Sequence, residues 1–233
     1  MADSPAKRHL ARRRAALAAA ATAPDQLMDG TGIYEQTMMQ LVVDKRRLKQ
    51  IQSGEGKAKL KAELLPAYAP YLEGVLSEGR GARDDVVTTL MLWHIDAGNF
   101  AQALAIAEYV LCYDMPMPDQ FQRTTGCVVA EEVATAALNA QRTSTPFDGA
   151  VLDLAVQLTD GHDMPDQVRA KLLLARARNV LGDGKGELSL DLVTQAVEDL
   201  RRAITLHDAC GGKEDLKRAE RLQNKHADSQ NTD

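Results

Sequence analysis

The side chains whose type and spacing suggest chemistry are basic and lie near the N-terminus. One cluster falls within eight residues and a second within five: Lys7, Arg8, Arg12, Arg13 and Arg14, then Lys45, Arg46, Arg47 and Lys49. Guanidinium and ammonium groups neutralise phosphates and release the counterions condensed around a nucleic acid. We therefore expect these nine residues to contact a nucleic-acid backbone.

Each basic cluster also allows another interpretation. Residues 6–24, which hold the first cluster, contain no acidic residue and continue into an alanine run and Ala21-Thr22-Ala23. That order is typical of a targeting peptide with a small-residue cleavage site, although a run with a single Leu is a poor apolar core. A solvated basic face is the other alternative. The second cluster is expected at the C-terminal end of a helix, where cations are favoured by the negative end of the helix dipole. This structural explanation and phosphate contact account for the second cluster equally well.

Signatures of catalysis are weak in this sequence. The pairs Asp84-Asp85 and Glu131-Glu132 carry the carboxylates that a two-metal nuclease needs, but adjacent residues of a helix point about 100° apart. Both pairs are expected in first helical turns, where acids complement the dipole. The five histidines lack zinc-site spacing, and neither a phosphate-binding loop nor a nucleophile elbow occurs. We predict no catalytic residue, no metal site and no cofactor.

Length and composition place the chain among globular proteins with one large or two small domains. It has 233 residues, of which 45% are hydrophobic and 26% charged. An aromatic share of 4% excludes a platform that stacks successive unpaired bases. No apolar run reaches transmembrane length. The three cysteines lie far apart, so we expect reduced thiols in a cytosolic compartment.

The net charge of −5 averages two unlike regions. Residues 1–62 hold 12 basic and six acidic side chains, a net charge of +6, whereas the other 171 residues hold 16 basic and 27 acidic side chains, a net charge of −11. This asymmetry indicates a polyanion-binding region on an acidic body. We predict a basic N-terminal arm at 1–29, a basic helix for DNA binding or oligomerisation at 30–62, a helical body at 63–225 and a disordered tail at 226–233.

The elements that must position the basic residues are predicted to be helices. Ser4 and Pro5 suit the start of the first helix. Its only large apolar residues are Leu10 and Leu17, too few to bury a face. We therefore expect this arm to become ordered on a phosphate backbone.

Two longer helices are predicted next. The second helix spans residues 34–52 and carries the apolar stripe of a packed or self-associating helix: Met38, Leu41, Leu48 and Ile51. The third begins near residue 57 and contains Pro66 and Pro70, so we expect a kink or two short pieces.

The remaining chain reads as helix after helix. Residues 83–97 and 99–113, joined by a tight turn at Gly98, resemble a tetratricopeptide-type hairpin in which Ala103 and Ala107 permit a close crossing. Further helices are expected at 127–141, 148–159, 165–182 and 188–208, followed by a second hairpin turned at Gly211-Gly212. The predicted fold class is all-α, an irregular multi-helix domain with tetratricopeptide-like hairpins and a basic N-terminal helical arm.

Seven sequence blocks carry a likeness to a known family. In chain order they are SPAKRH, LLPAYAPYLEGVL, GRGARDD, TLMLWHIDAGNFAQALAIAEYVL, MPMP, EEVATAA and DMPDQVRAKL. Together they resemble the small terminase subunits of cohesive-end temperate tailed phages, which are often labelled terminase endonuclease subunits. The likeness runs from about residue 4 to residue 222 and is most specific between Met91 and Tyr109.

The resemblance implies viral genome packaging in the host cytoplasm, with no membrane role. It implies three partners: double-stranded viral DNA at the cohesive-end site, a large terminase subunit that holds the ATPase and nuclease, and further copies of the chain in a homo-oligomer, commonly a ring. The nuclease label then describes the holoenzyme, and we predict a DNA-binding chain that is not catalytic alone. The alternatives are a helical-hairpin interaction scaffold without direct DNA binding and a metal-dependent endonuclease subunit.

Overall fold

The computed structural model describes residues 4–24, 26–118, 123–182 and 188–230. Regular structure in these ranges is helical, and their one β-type pairing is an isolated parallel bridge between Leu27 and Arg83. The predicted all-α fold class is confirmed. Packing divides the chain into two compact units, residues 1–125 and 126–233. The four segments drawn from composition and charge stay a prediction, and the first and last three residues of the chain lie outside the described ranges.

The described part of unit 1 is built from α1 (Pro5–Ala21), α2 (Ile33–Lys49), α3 (Gly54–Glu78), α4 (Asp85–Asp96) and α5 (Phe100–Cys112). Side-chain caps start three of these helices, because Ser4, Ser53 and Asp84 each accept a hydrogen bond from a backbone N–H of the first turn. Gly98 takes a φ of +77° in the turn between α4 and α5, as the sequence predicted.

α1 packs against α3 through small residues. Ala15 and Ala19 are fully buried, while Leu10 and Leu17 are exposed. A Cβ atom added at Gly74 of α3 would lie 2.4 Å from the carbonyl oxygen of Arg12, so the two backbones touch at this glycine. We expected α1 to be unable to bury a face and to become ordered on a phosphate backbone, and this expectation is wrong. The alanines of α1 and one glycine of α3 allow close helix contact without large apolar side chains.

α3 is continuous through both of its prolines. Pro66 and Pro70 lie inside one helix of 25 residues, so of the two expected outcomes the division into two short pieces is wrong, and the kink stays a prediction. A proline in a helix interior costs about 3 kcal/mol. Burial of Tyr68, Tyr71 and Val75 on the same helix offsets that cost by packing.

The core of unit 1 lies where α2, α3, α4 and α5 meet. Tyr68, Leu41, Leu90 and Leu104 are among its largest fully buried side chains. The ring of Tyr68 meets Trp93 edge-on, with ring centroids 6.1 Å apart. This core holds the C-terminal half of α2 against α3 and α4.

The described part of unit 2 contains α6 (Thr125–Arg142, which begins one residue before the unit boundary), α7 (Gly149–Thr159), α8 (Asp166–Leu181), α9 (Leu190–Leu206), a 3-10 turn at Asp208–Cys210 and α10 (Lys213–Gln230). Leucines and alanines of α8 and α9 form its core, joined by Ala219 of α10. Arg176 of α8 binds the buried carboxylate of Asp199 on α9 through two hydrogen bonds of 2.7 Å.

The turn between α9 and α10 falls at Gly211, where the sequence placed it, with a φ of +86°. α10 continues to Gln230, so the expectation of a disordered tail is wrong for residues 226–230, which are helical. No glycine or proline interrupts this stretch, and a helix can therefore propagate through it.

Candidate nucleic-acid interface

The first basic cluster lies on the solvent side of α1. Lys7, Arg8, Arg13 and Arg14 are exposed and form no ion pair or side-chain hydrogen bond with the described residues. Arg12 differs, because its Nη1 lies 3.6 Å from Glu73 Oε2 of α3. Both side chains of that pair are about half exposed, so it contributes less than about 1 kcal/mol. Four of the five predicted residues are thus available to a polyanion.

The second basic cluster lies in the last turns of α2. Two of its residues are exposed and unpaired among the described residues, and two make contacts within the protein. Arg46 and Lys49 are exposed and have no partner among the described residues. Arg47 donates to Asp44 Oδ1 at 2.9 Å, and the half-buried Lys45 donates to Thr89 Oγ1 of α4 at 3.3 Å. Burial is the main cause that lowers the pKa of Lys45, and Asp85 opposes it. Lys45 therefore joins α2 to α4, and Arg47 is paired within its own helix.

Asp44 anchors this end of α2. Its side chain is buried, and Oδ2 accepts a 2.8 Å hydrogen bond from the hydroxyl of Tyr68 on α3. Burial, followed by this hydrogen bond and the charge of Asp44, raises the pKa of Tyr68 above its ordinary range. The phenol therefore stays protonated and remains a donor.

The predicted apolar stripe of α2 packs inside unit 1. Leu41 and Leu48 are buried, and Met38 and Ile51 are half-buried. The stripe is therefore occupied by the protein's own core and belongs to a packed helix, one of the two predicted options. The apolar residues that α2 leaves exposed are different ones: Met39, Val42 and Val43.

The structure places the two basic clusters at opposite ends of α2. A Cβ atom added at Gly32, just before α2, would lie 3.8 Å from Arg14 Nη2, so Arg14 of the first cluster reaches the start of this helix. The second cluster begins at Lys45, 13 residues further on, which is about 20 Å along a helix. The two clusters therefore do not form one site.

The carboxylate pair Asp84-Asp85 has a structural explanation. Asp84 is buried; its Oδ1 accepts from the backbone N–H groups of Val86 and Val87 at 2.9 and 3.0 Å. Its Oδ2 accepts a 2.6 Å hydrogen bond from the hydroxyl of Tyr71. Burial raises the pKa of Asp84 to about 6, against the opposing effect of these three donors. Asp84 is the N-cap of α4 and Asp85 lies in its first turn, as predicted.

The pair Glu131-Glu132 lies elsewhere than predicted. α6 begins at Thr125, and no acidic residue lies in its first turn. The expectation that both pairs occupy first turns is therefore wrong for this one. Within the described ranges, no group of three histidine, cysteine, aspartate or glutamate residues is placed to hold a metal ion.

Sequence reasoning overlooked two lysines of α3 as site residues. Lys57 and Lys61 line a pocket together with Lys45 and Lys49 of α2. Each pair is separated by four residues, which places its members on one face of a helix. That repeated spacing is the signal from which these residues could have been found.

Comparison with known proteins gives two matches. The family described as "Phage small terminase subunit" matches residues 38–167, from α2 to the start of α8. The protein named "Terminase, endonuclease subunit" of Escherichia phage P2 is 41% identical over 220 residues, which cover 94% of this chain and 85% of that relative. No solved structure matches the chain. Among the described residues, every helix is too short or too polar to cross a membrane.

Proposed function

The chain belongs to the phage small terminase subunit family, and from this we propose that it is the DNA-recognition subunit of a packaging terminase. Membership gives the chain a role in phage genome packaging. In our proposal it binds double-stranded viral DNA at the cohesive-end site and recruits or regulates a large subunit that carries the ATPase and nuclease. This takes place in the host cytoplasm.

The observation that carries the DNA-binding proposal is the set of unpaired cations on α1 and α2. Six of the nine predicted side chains have no partner among the described residues: Lys7, Arg8, Arg13, Arg14, Arg46 and Lys49. They are held on two helices that pack against α3, so their spacing is set before DNA arrives. Pre-set spacing lowers the entropy cost of binding.

Self-association would strengthen this modest basic surface. In the proposed homo-oligomer, a ring, each copy presents the same two clusters. Linked copies convert later contacts into intramolecular ones, so weak single contacts combine to high avidity. The DNA affinity should therefore depend on oligomer formation as well as on the basic side chains.

Substitution tests the assignment better than removal of the N-terminus, because α1 is packed against α3. The variant Arg8→Gln/Arg13→Gln removes two exposed guanidinium groups, and Arg80→Gln/Arg202→Gln removes two exposed charges outside both clusters. Affinity for a cohesive-end duplex is measured at several salt concentrations. We expect the salt slope of the first variant to fall by about 1.8, at about 0.9 per lost phosphate contact. An unchanged slope, or an equal fall in the second variant, would refute the role of α1.

The name of the P2 relative, an endonuclease subunit, raises DNA cleavage as a second activity. Our proposal assigns cleavage to the assembled terminase with its large subunit. The purified chain is incubated with cohesive-end DNA and Mg²⁺, with and without the large subunit. This comparison distinguishes cleavage by the chain alone from cleavage by the assembled terminase. Chelator-sensitive cleavage by the chain alone, abolished by Glu131→Ala, would overturn this assignment.

A further inference from the structure

A pocket of about 360 Å³ lies within unit 1 between the end of α2, the start of α3 and one face of α4. Four lysines line it: Lys45 and Lys49 from α2, and Lys57 and Lys61 from α3. Trp93 and Asp96 of α4 also line this lysine pocket. Its volume lies in the lower part of the range for small-ligand sites.

The charge that lines the lysine pocket is unbalanced. Four lysines and one carboxylate line this pocket; the carboxylate is that of Asp96, which pairs with Lys61, while Asp85, outside the lining, acts on Lys45 by its charge. Lys45 is bound to Thr89 Oγ1, a neutral partner. Lys49 and Lys57 have no partner among the described residues. Like charges that share a pocket repel one another, so a bound anion would lower the energy of this arrangement.

The helix dipoles do not explain all four lysines. Lys49 is the last residue of α2, where a cation is favourable, but Lys57 is the fourth residue of α3, close to the positive end of its dipole. A lysine at that end gains nothing from the dipole. Glu55 lies in the same first turn and complements the dipole, so the dipole accounts for Lys49 and gives no reason for Lys57 to line the pocket.

We propose that the lysine pocket binds a phosphate group, through Lys49 and Lys57 first, with Lys61 released from Asp96 as the ligand enters. The ligand is a phosphodiester of the DNA backbone, an identification that depends on the function proposed above. Free inorganic phosphate has the same chemistry and is the second possible source. Asp96 acts as an internal competitor that weakens binding of any anion.

Trp93 allows phosphate binding to be measured without DNA, because it is the one tryptophan in the chain and lines the pocket. The full chain is titrated with inorganic phosphate at constant ionic strength, held with NaCl, and Trp93 fluorescence is recorded. We expect a saturable change that is lost in Lys49→Met/Lys57→Met. The control, Lys59→Met/Arg202→Met, removes two exposed charges outside the pocket, one from the same helix, and should titrate like the unmodified chain.

Substitution of Asp96 supplies an independent readout. Asp96→Asn frees Lys61 without removing any lysine, so phosphate should bind more tightly, by roughly threefold to tenfold for one charge-assisted interaction. Glu63→Gln, which removes an exposed carboxylate of α3 outside the pocket, serves as the control. Weaker or unchanged binding in Asp96→Asn would overturn the competitor role.

A parallel titration with a cohesive-end duplex separates the two phosphate sources. If Lys49→Met/Lys57→Met lowers duplex affinity and the salt slope by about 1.8, as expected for two lost phosphate contacts, the backbone is the ligand. If that variant binds the duplex normally, DNA binding stands and the pocket's assignment to DNA is wrong. If no form of the chain binds DNA but phosphate still titrates Trp93, the proposed function fails and the pocket binds free phosphate. A non-saturating fluorescence change shared by the double variant would refute the pocket as a phosphate site.

Discussion

The hydroxyl of Tyr71 donates a 2.6 Å hydrogen bond to Asp84 Oδ2, and this contact joins the C-terminal half of α3 to the N-cap of α4. Both side chains are buried. The carboxylate therefore acts twice, as the cap of α4 and as the acceptor that fixes α3 beside it. The two helices that this bond joins also line the lysine pocket.

Tyr71→Phe should destabilise unit 1, because it leaves Asp84 Oδ2 buried without its donor. Loss of one partner of a buried hydrogen bond costs about 1–3 kcal/mol. Urea unfolding followed by circular dichroism measures the change. Tyr113→Phe, at an exposed tyrosine, should have little effect, and equal losses in both variants would show that the Tyr71–Asp84 bond contributes nothing specific.

The stability of unit 1 should depend on pH through Asp84. Its pKa is raised from 3.8 to about 6 by burial, so the folded protein favours the protonated carboxyl. The resulting stabilisation is complete below about pH 4 and is lost as the pH rises through about 6, a change on the order of 3 kcal/mol.

Asp84→Asn keeps an oxygen that can cap α4 but cannot ionise, so it isolates this effect. The free energy of unfolding is measured for both proteins between pH 4 and pH 8. We expect the difference between the variant and the unmodified chain to grow in favour of the variant as the pH rises through about 6. A constant difference across this interval would show that Asp84 does not titrate there.

Gly74→Ala should displace α1 from α3. The added Cβ would lie 2.4 Å from Arg12 O and 2.7 Å from the Cβ of Ala15, and backbone atoms cannot rotate away. Overpacking of this kind costs about 1–3 kcal/mol, to be measured by thermal unfolding. Gly54→Ala is the matched control in the same helix, since its Cβ would meet nothing within 4 Å. It should be neutral or slightly stabilising.

Arg176→Met should be among the most damaging changes in unit 2. It removes the bidentate partner of Asp199, whose carboxylate is buried, and an unpaired buried charge costs about 3–5 kcal/mol. Arg201→Met breaks an ion pair with Glu220 that is largely exposed, and its cost should stay below about 1 kcal/mol. Similar losses for the two variants in urea unfolding would contradict the difference in burial.

Helix positions in this chain are encoded locally, and much of the fold could therefore be predicted. Ser4, Gly98 and Gly211 mark helix ends that the structure places at the same points. The continuity of α3 could not be predicted, because Pro66 is a strong local signal for a break and the burial of Tyr68 and Tyr71 that opposes it depends on other helices.

The candidate site, too, could be predicted from the sequence only in part. Residue type alone identified the exposed cations of α1 and α2, but it could not show that Arg47 is bound to the buried Asp44. The packing of α1 against α3 could not be predicted, because it depends on small residues such as Ala15 and Gly74 that let the two backbones approach closely. Such a contact produces no stripe of large apolar residues in the sequence.

The contact between α1 and α3 also sets how easily α1 can open. Ala15 and Ala19 each bury one methyl group, worth about 0.8 kcal/mol, and the half-buried alanines beside them add smaller amounts, so α1 is held by several small contributions and no large apolar side chain. Local opening of α1 therefore requires less free energy than unfolding of the core. Its amide protons exchange with solvent through this opening, and a duplex bound to Arg8 and Arg13 would slow that exchange while leaving α8 and α9 unaffected.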